Sequence, residues 1–158
     1  MTYIPILYGI MVAVFVSYVT YIWAKYGVQH SISQSYYVLP EKLRFLMTLF
    51  CWGFAIPAII VGGTGLMFLA GSGIAFVGAA AAFQEKTTKE VHYIGAGVGV
   101  AASQLSMFVN FGLWPINVVF FAIALPLFLF RKKIKNWIWW AEIAAFVSIC
   151  IGLGIILF

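Results

Sequence analysis

The sequence predicts an all-α protein: one polytopic bundle of six transmembrane helices that forms a single domain over residues 1–158. Apolar residues make up 65% of the chain and charged residues 8%, and the mean hydropathy is +1.07. A soluble domain has about 25% charged residues, and a chain of this size has too little interior to bury so much apolar surface. The apolar residues also recur in separate segments, between which the basic residues cluster. These observations exclude a water-soluble globular protein.

Six apolar segments qualify, or nearly qualify, as membrane spans, because a bilayer core takes about 20 residues per helix. They cover residues 3–24, 45–61, 65–83, 91–111, 113–130 and 138–158. The second and fourth joints, GGTG at 62–65 and GLWP at 112–115, are short and uncharged, and they predict tight hairpins. The first segment lacks a basic leader and is long for a signal peptide, so we do not expect its cleavage.

The basic residues predict the topology. All of them lie in or at the edges of the first, third and fifth joints: Lys25, Lys42, Arg44, Lys86, Lys89, Arg131, Lys132, Lys133 and Lys135. The positive-inside rule puts these joints in the cytoplasm and both termini on the non-cytoplasmic side. We therefore expect a multi-pass protein of a bacterial inner membrane. The net charge of +5 is split among separated clusters, which argues against a nucleic-acid partner.

Small residues at four-residue spacing predict close helix contacts. Such ridges let the backbones of membrane helices approach one another. They occur in the third, fourth and sixth helices, which we expect to form the tightly packed centre. The residues are Gly71, Ala75 and Ala79, then Gly95, Gly99 and Ser103, and finally Ala145 and Gly152. The fifth helix is bulky and is expected to face lipid.

Two ionisable residues stand out, because ionisable groups inside a membrane are costly. Glu142 is the only acid within a predicted span, about one turn from the cytoplasmic edge, and it shares a face with Ala145 and Gly152. His92 lies one turn into the fourth segment at a similar depth. The pair could relay protons, act as base and orienter, or bind a polar headgroup. The alternative is that Glu142 caps a helix or pairs with joint lysines while His92 lies in the interface.

The first joint is unusually long at roughly 18 residues, which suggests a function or disorder. Its aromatic and aliphatic residues argue against disorder. The candidate ligand-binding residues in and beside it are Ser31, Ser33, Ser35, Tyr36 and Arg44. Together with His30 they could reach a phosphate or lie over the region of His92 and Glu142. The alternative is an interfacial cap that seals the cytoplasmic end of the bundle.

Catalytic and metal chemistry have little support in the sequence. Ser, His and Glu are present, but no GxSxG elbow accompanies them. With two histidines and no aspartate we expect no metal site and no cofactor. Cys51 and Cys150 do not form a CxxC pattern, and we interpret them as small buried hydrophobes.

The strings SISQSYYVLP at 31–40, RF at 44–45 and VHYIGA at 91–96 resemble small, uncharacterised six-helix membrane proteins of bacteria or phages. More distantly, they are similar to the DRAM/Frag/Sfk-type six-span family, which has an Ile-Ser motif after the first helix and a His-x-x-Gly-Ala-like motif at the start of the fourth. The resemblance implies lipid-related or membrane-organising roles. It transfers no catalytic residue.

The function expected first is a non-enzymatic bundle that binds a membrane lipid or small amphiphile at its cytoplasmic end. The alternatives are a small transporter or proton-coupled carrier, an intramembrane hydrolase that uses Ser31 or Ser33 with His92 and Glu142, and a structural subunit. The expected partners are a membrane lipid and either further copies of the chain, in a homo-oligomer, or the other subunits of a larger membrane complex.

Overall fold

The computed structural model describes residues 3–82 and 86–158, and this part of the chain folds into helices and turns without a β-strand. The all-α prediction is confirmed. Each of the six apolar segments contains one helix, and a short helix lies in the first joint. The helices are α1 (Tyr3–Tyr26), α2 (Ser35–Val38), α3 (Phe45–Gly62), α4 (Gly65–Ala79), α5 (Lys86–Val109), α6 (Trp114–Leu129) and α7 (Trp137–Leu157). The expected end of the third segment, Phe83, lies outside the described residues.

Within the described residues, three helices are long and apolar enough to cross a membrane, judged by length and composition. They are Tyr3–Tyr26, the stretch Glu41–Gly62 that joins a 3₁₀ turn to α3, and Trp137–Leu157. α4 and α6 are equally apolar in character but shorter. α5 has 24 residues, but polar side chains interrupt its apolar surface.

The hairpin between α3 and α4 forms where glycine and threonine interrupt the apolar run. Gly63 ends α3 in the left-handed conformation with φ +59°, which glycine adopts without the steric cost of a Cβ. The next residue, Thr64, caps α4, since its Oγ1 accepts a hydrogen bond from the Met67 N–H at 3.1 Å. The local sequence thus ends one helix and starts the next within two residues.

The helices α1, α3, α4 and α5 pack as successive neighbours, and α4 lies between α3 and α5 with the most extensive contacts. α7 packs mainly against α6 and also contacts α1, α3 and α5. The closely packed centre therefore consists of α3, α4 and α5 and differs from the expected set of α4, α5 and α7. The difference arises because α4 has small residues on two faces.

One face of α4 meets α3 and the other meets α5. At Gly71, a Cβ would lie 2.3 Å from Ile59 Cγ1 of α3. At Gly73, a Cβ would lie 2.5 Å from the Gly95 carbonyl oxygen and 2.6 Å from the Gly99 nitrogen of α5. Only glycine lets the two backbones cross this closely.

The other small residues have different surroundings. Ala79 is exposed, because positions four apart rotate by about 40° per step around a helix with 3.6 residues per turn. The Ala75 carbonyl accepts a hydrogen bond from the Trp52 indole at 3.0 Å. On α7, Ala145 is buried and a Cβ at Gly152 would meet the Met107 side chain of α5.

The two ends of the bundle differ in their residues. At one end the first joint meets the N-terminal turns of α5 and α7, and Lys89 and His30 line the space between them. At the other end the Thr64 hydroxyl lies 3.2 Å from that of Ser106, and the rings of Tyr8 and Phe158 make an edge contact at 5.9 Å. We call the first of these the basic end. It contains the candidate site.

Candidate functional site at the basic end

The first joint folds into the bundle as residues 27–39, the inserted segment. The hydroxyl-bearing residues Ser31, Ser33 and Ser35 are 7%, 5% and 0% exposed, and Ile32 and Leu39 are 2% exposed each. A joint that only covered the bundle would leave these side chains in contact with water or headgroups. The segment is therefore part of the core at this end.

Hydrogen bonds fix the inserted segment to α7. The Trp139 N–H donates to the His30 carbonyl at 3.1 Å, and the Asn136 amide donates to the Val28 carbonyl at 2.9 Å. A third bond runs the other way, from the Ile32 N–H to the Glu142 carboxylate. Buried backbone groups outside helices need such partners, and the start of α7 supplies them.

A further bond fixes the segment to α1. The hydroxyls of Tyr18 and Ser35 lie 2.5 Å apart, and the Ser35 hydroxyl also donates to the Ile32 carbonyl. Tyr18 is held in turn by a stacked contact with Phe50, with ring centroids 4.5 Å apart. Ser35 thus serves the placement of the segment.

Glu142 lies about one turn into α7, half-buried, with its carboxylate against the inserted segment. Its hydrogen-bond partner is the Ile32 N–H, and among the side chains that the structure describes, those of residues 3–82 and 88–158, no cationic group pairs with it. A carboxylate offers about four acceptor positions. Most of its capacity therefore remains for other groups.

His92 is 3% exposed and, like Glu142, lines the groove between the inserted segment, α5 and α7. Its Nδ1 is 3.1 Å from the Ala80 carbonyl oxygen just after α4, which fixes the ring against the α4–α5 contact. His92 and Glu142 line one groove, as expected from their depth, but no hydrogen bond joins these two described residues.

A groove of about 540 Å³ opens between the inserted segment, α5 and α7. It has polar and charged groups at its rim and an acid at its depth. Its lining residues are His30, Ser31, Ser33, Gln34, Lys89, His92, Tyr93, Ala96, Trp137, Ile138 and Glu142.

A smaller cavity of about 60 Å³ lies behind the groove. The two spaces share Ser33, Ala96 and Glu142 in their walls. The other walls of this inner cavity are mostly apolar side chains of α3, α4, α5 and α7, including Phe50 and Phe146. A cavity of this volume has room for a few water molecules or a small apolar group, since one water needs roughly 10–15 Å³.

The structure brings four of the predicted ligand-binding residues to the groove: Ser31, Ser33, His92 and Glu142. Ser35 is enclosed beneath them. Tyr36 and Arg44 lie elsewhere, with the guanidinium 5.4 Å from the centre of the tyrosine ring. Because α2 is helical, the consecutive residues 35 and 36 point to different sides, so only one of them faces the core.

Sequence reasoning missed several groove residues, among them Gln34, Lys89, Tyr93 and Trp137. Helical spacing could have identified part of this set. Positions 89, 92, 93 and 96 of α5 lie three or four apart, as do 138 and 142 of α7, so each group shares one face. The missing information was which faces meet.

A chain of hydrogen-bonded side chains links α5, α6 and α7 farther from the basic end. Gln104 Nε2 donates to the Ser148 hydroxyl at 2.7 Å, and the Asn117 amide donates to Gln104 Oε1 at 3.1 Å. Near the opposite end Ser106 bonds both Thr64 and Asn110. Such bonds commonly join membrane helices, and they supply the polar contacts between these three helices.

The chemistry at the basic end is that of a binding site with mixed polarity. Within the described residues no group of three or more His, Cys, Asp or Glu side chains is placed to hold a metal ion. Lys89 and His30 are exposed at the rim, whereas the carboxylate lies at the junction with the apolar cavity. The site can therefore contact charged, hydrogen-bonding and apolar parts of one molecule.

Comparison with protein-family models, with curated proteins and with solved structures found no match to this chain. The functional argument therefore rests on the residues and geometry of the groove and the inner cavity.

Proposed function

We propose that the protein binds a membrane lipid or small amphiphile in the groove at its basic end. The single observation that supports this most is that a polar groove and an apolar inner cavity lie side by side and share Ser33, Ala96 and Glu142 in their walls. Ligand sites are concave and mostly apolar, with a few placed polar groups. An amphiphile needs both kinds of surface side by side.

The proposal includes a topology. We propose six spans, with the basic end at the cytoplasmic face of a bacterial inner membrane and both termini on the other face. The meeting of the first joint with the starts of α5 and α7 supports it, because all basic residues then lie near one membrane surface. A ligand would enter the groove at the level of the cytoplasmic headgroups.

Occlusion of the groove tests the binding proposal. Ala96 lies in the walls of both spaces, so Ala96→Phe fills their junction, whereas Ala101→Phe adds the same ring at an exposed position of the same helix. Native mass spectrometry of the purified protein should show one retained amphiphile in the wild type and in Ala101→Phe. We expect at least a fivefold lower occupancy in Ala96→Phe, on the order of 1 kcal/mol.

Two results would contradict the proposal. The first is a wild-type protein without a stoichiometric bound amphiphile, and the second is equal retention by the two phenylalanine variants. Size-exclusion chromatography of both variants controls for misfolding.

Cysteine labelling tests the topology. In a chain without its two native cysteines, Lys42→Cys and Lys133→Cys should resist a membrane-impermeant maleimide added to intact cells, whereas Asn110→Cys should react. All three side chains are exposed. Labelling of Lys42→Cys and Lys133→Cys from opposite faces would refute a shared cytoplasmic end.

A second candidate function is a small transporter. The polar side chains of α5 that follow the inner cavity, from Ser103 through Gln104 to Ser106, favour it, since they run toward the opposite end of the bundle. Transport predicts pH-dependent flux into liposomes that Glu142→Gln abolishes. If a ligand binds but no flux is detected, the protein is better described as a binding protein than as a transporter.

A further inference from the structure

We propose that the ligand of the groove is a lipophilic organic cation: a methylated ammonium group lies against the Glu142 carboxylate, with its methyl groups in the inner cavity. This inference rests on the proposed amphiphile binding and adds the chemical class of the headgroup. It follows from the partners of Glu142, the walls of the inner cavity and the distribution of charge around the groove.

The first step concerns the missing counter-charge. The Glu142 carboxylate accepts one hydrogen bond, from the Ile32 N–H, and forms no ion pair with any of the described side chains, which are those of residues 3–82 and 88–158. A carboxylate out of bulk water is costly unless a partner compensates its charge. It lies in the wall of both the groove and the inner cavity, so a cation bound at their junction would supply that partner.

The second step concerns the walls. Aromatic rings of Phe50 and Phe146 line the inner cavity. One face of each ring stacks on a neighbouring ring, Tyr18 or Phe15, which leaves one face of each that can attract a cation, a quaternary ammonium group in particular. The Ser103 hydroxyl, also in the wall, donates its hydrogen to the Val100 carbonyl at 2.8 Å. Its oxygen therefore keeps acceptor lone pairs that this bond does not use, and these suit a cation better than an anion.

The third step concerns size. The inner cavity of about 60 Å³ is too small for an acyl chain but accommodates methyl or short alkyl substituents. Apart from Ser33, Ser103 and Glu142 its walls are apolar, so any N–H donor of a primary ammonium that does not reach one of these three residues would stay unsatisfied there. The alkyl chain of the ligand then lies along the groove.

The fourth step excludes the opposite charge. An anionic headgroup at the junction would meet the Glu142 carboxylate. The groups in the groove that could attract an anion are Lys89, His30 and His92. Lys89 and His30 lie exposed at the rim, where solvent screens them, and the Nδ1 of the buried His92 lies against the Ala80 carbonyl. The deepest polar position of the site therefore selects for positive charge.

Calorimetric titration of the full chain in dodecyl maltoside, a detergent without an ammonium group, tests the inference. The probes are decyltrimethylammonium and the neutral decyldimethylphosphine oxide, which has a head of similar size. We expect the wild type to bind the cation at least tenfold more tightly. In Glu142→Gln this preference should be lost, because the ammonium then lacks the carboxylate as its counter-charge, and losing one partner of a desolvated charge pair lowers the affinity about tenfold or more.

Two controls accompany the variant. Glu41→Gln removes the same charge at an exposed site outside the groove, and it should bind the cation as the wild type does. The neutral probe should bind Glu142→Gln within about threefold of the wild type, since a glutamine oxygen can still accept from the Ile32 N–H, and this shows that the variant is folded. Decylphosphocholine identifies the source: equally tight binding indicates a lipid headgroup, and weaker binding indicates a free cation.

The possible results separate the two proposals. If the wild type binds the neutral probe as tightly as the cation, or Glu142→Gln binds the cation as Glu41→Gln does, cation selection is refuted and amphiphile binding stands. If neither probe binds beyond its partition into empty micelles, both proposals fail.

Discussion

The crossing of α4 and α5 predicts that Gly73→Ala destabilises the protein. The added Cβ would lie 2.5 Å from the Gly95 oxygen, 2.6 Å from the Gly99 nitrogen and 2.9 Å from the Gly99 Cα, whereas ordinary contacts begin at 3.4 Å. All three neighbours are backbone atoms, so no rotamer change relieves the clash. The helices would have to separate by about 0.9 Å, the difference between 3.4 and 2.5 Å.

The magnitude can be isolated with a matched substitution. Gly97→Ala makes the same chemical change on α5, where a Cβ would meet nothing within 4 Å. Alanine gains about 0.5–1 kcal/mol over glycine inside a helix, and this gain cancels between the two variants. The difference in the free energy of unfolding is then the overpacking cost, about 1–3 kcal/mol, with Gly73→Ala the less stable protein.

The assay is reversible unfolding by sodium dodecyl sulfate in mixed micelles, followed by tryptophan fluorescence. Both variants and the wild type are titrated under one set of conditions. If Gly73→Ala is as stable as Gly97→Ala, the backbones of α4 and α5 do not cross at this point, and the described packing of the bundle is refuted.

Three further predictions use the same protein. Ser148→Ala removes the acceptor of the Gln104 amide and should cost about 0.6 kcal/mol in the same unfolding assay; no loss would contradict the bond. Tyr18→Phe frees the Ser35 hydroxyl and should speed hydrogen exchange of residues 31–36, with unchanged rates contradicting its anchoring role. Lys89→Gln removes a like charge from the rim and should leave cation affinity equal or raise it up to about threefold; a tenfold loss of cation affinity would contradict the assignment of Lys89 as a like charge near the bound cation.

The positions of the helices could be predicted because the signals are local. Each apolar run is bounded by glycine, proline or charge, and the helices begin and end within a few residues of those boundaries. The largest shift is at α5, which starts at Lys86 and includes charged residues before the apolar run. Helical hydrogen bonds join residues four apart, so the nearby sequence decides where a helix forms. Hydropathy marks only the part of that helix that suits a lipid environment.

Part of the candidate site also followed from the sequence. His92 and Glu142 each lie within two turns of the start of a helix that follows a basic joint, so the charge pattern alone put them at the same end. Their presence in one groove agrees with that reasoning. The roles of Tyr36 and Arg44 could not be assigned in this way, because their side chains depend on how the joint folds.

Only the tertiary structure decided which surfaces meet. The sequence by itself determined an all-α chain with apolar segments, polar joints and a small number of ionisable groups among them. It did not reveal that Ile32, 110 residues from Glu142, supplies its hydrogen bond, or that Gly73, outside the four-residue ridge of α4, meets α5. Periodicity defines a face of a helix, whereas the partner of that face depends on rotations and crossings set by all the helices together.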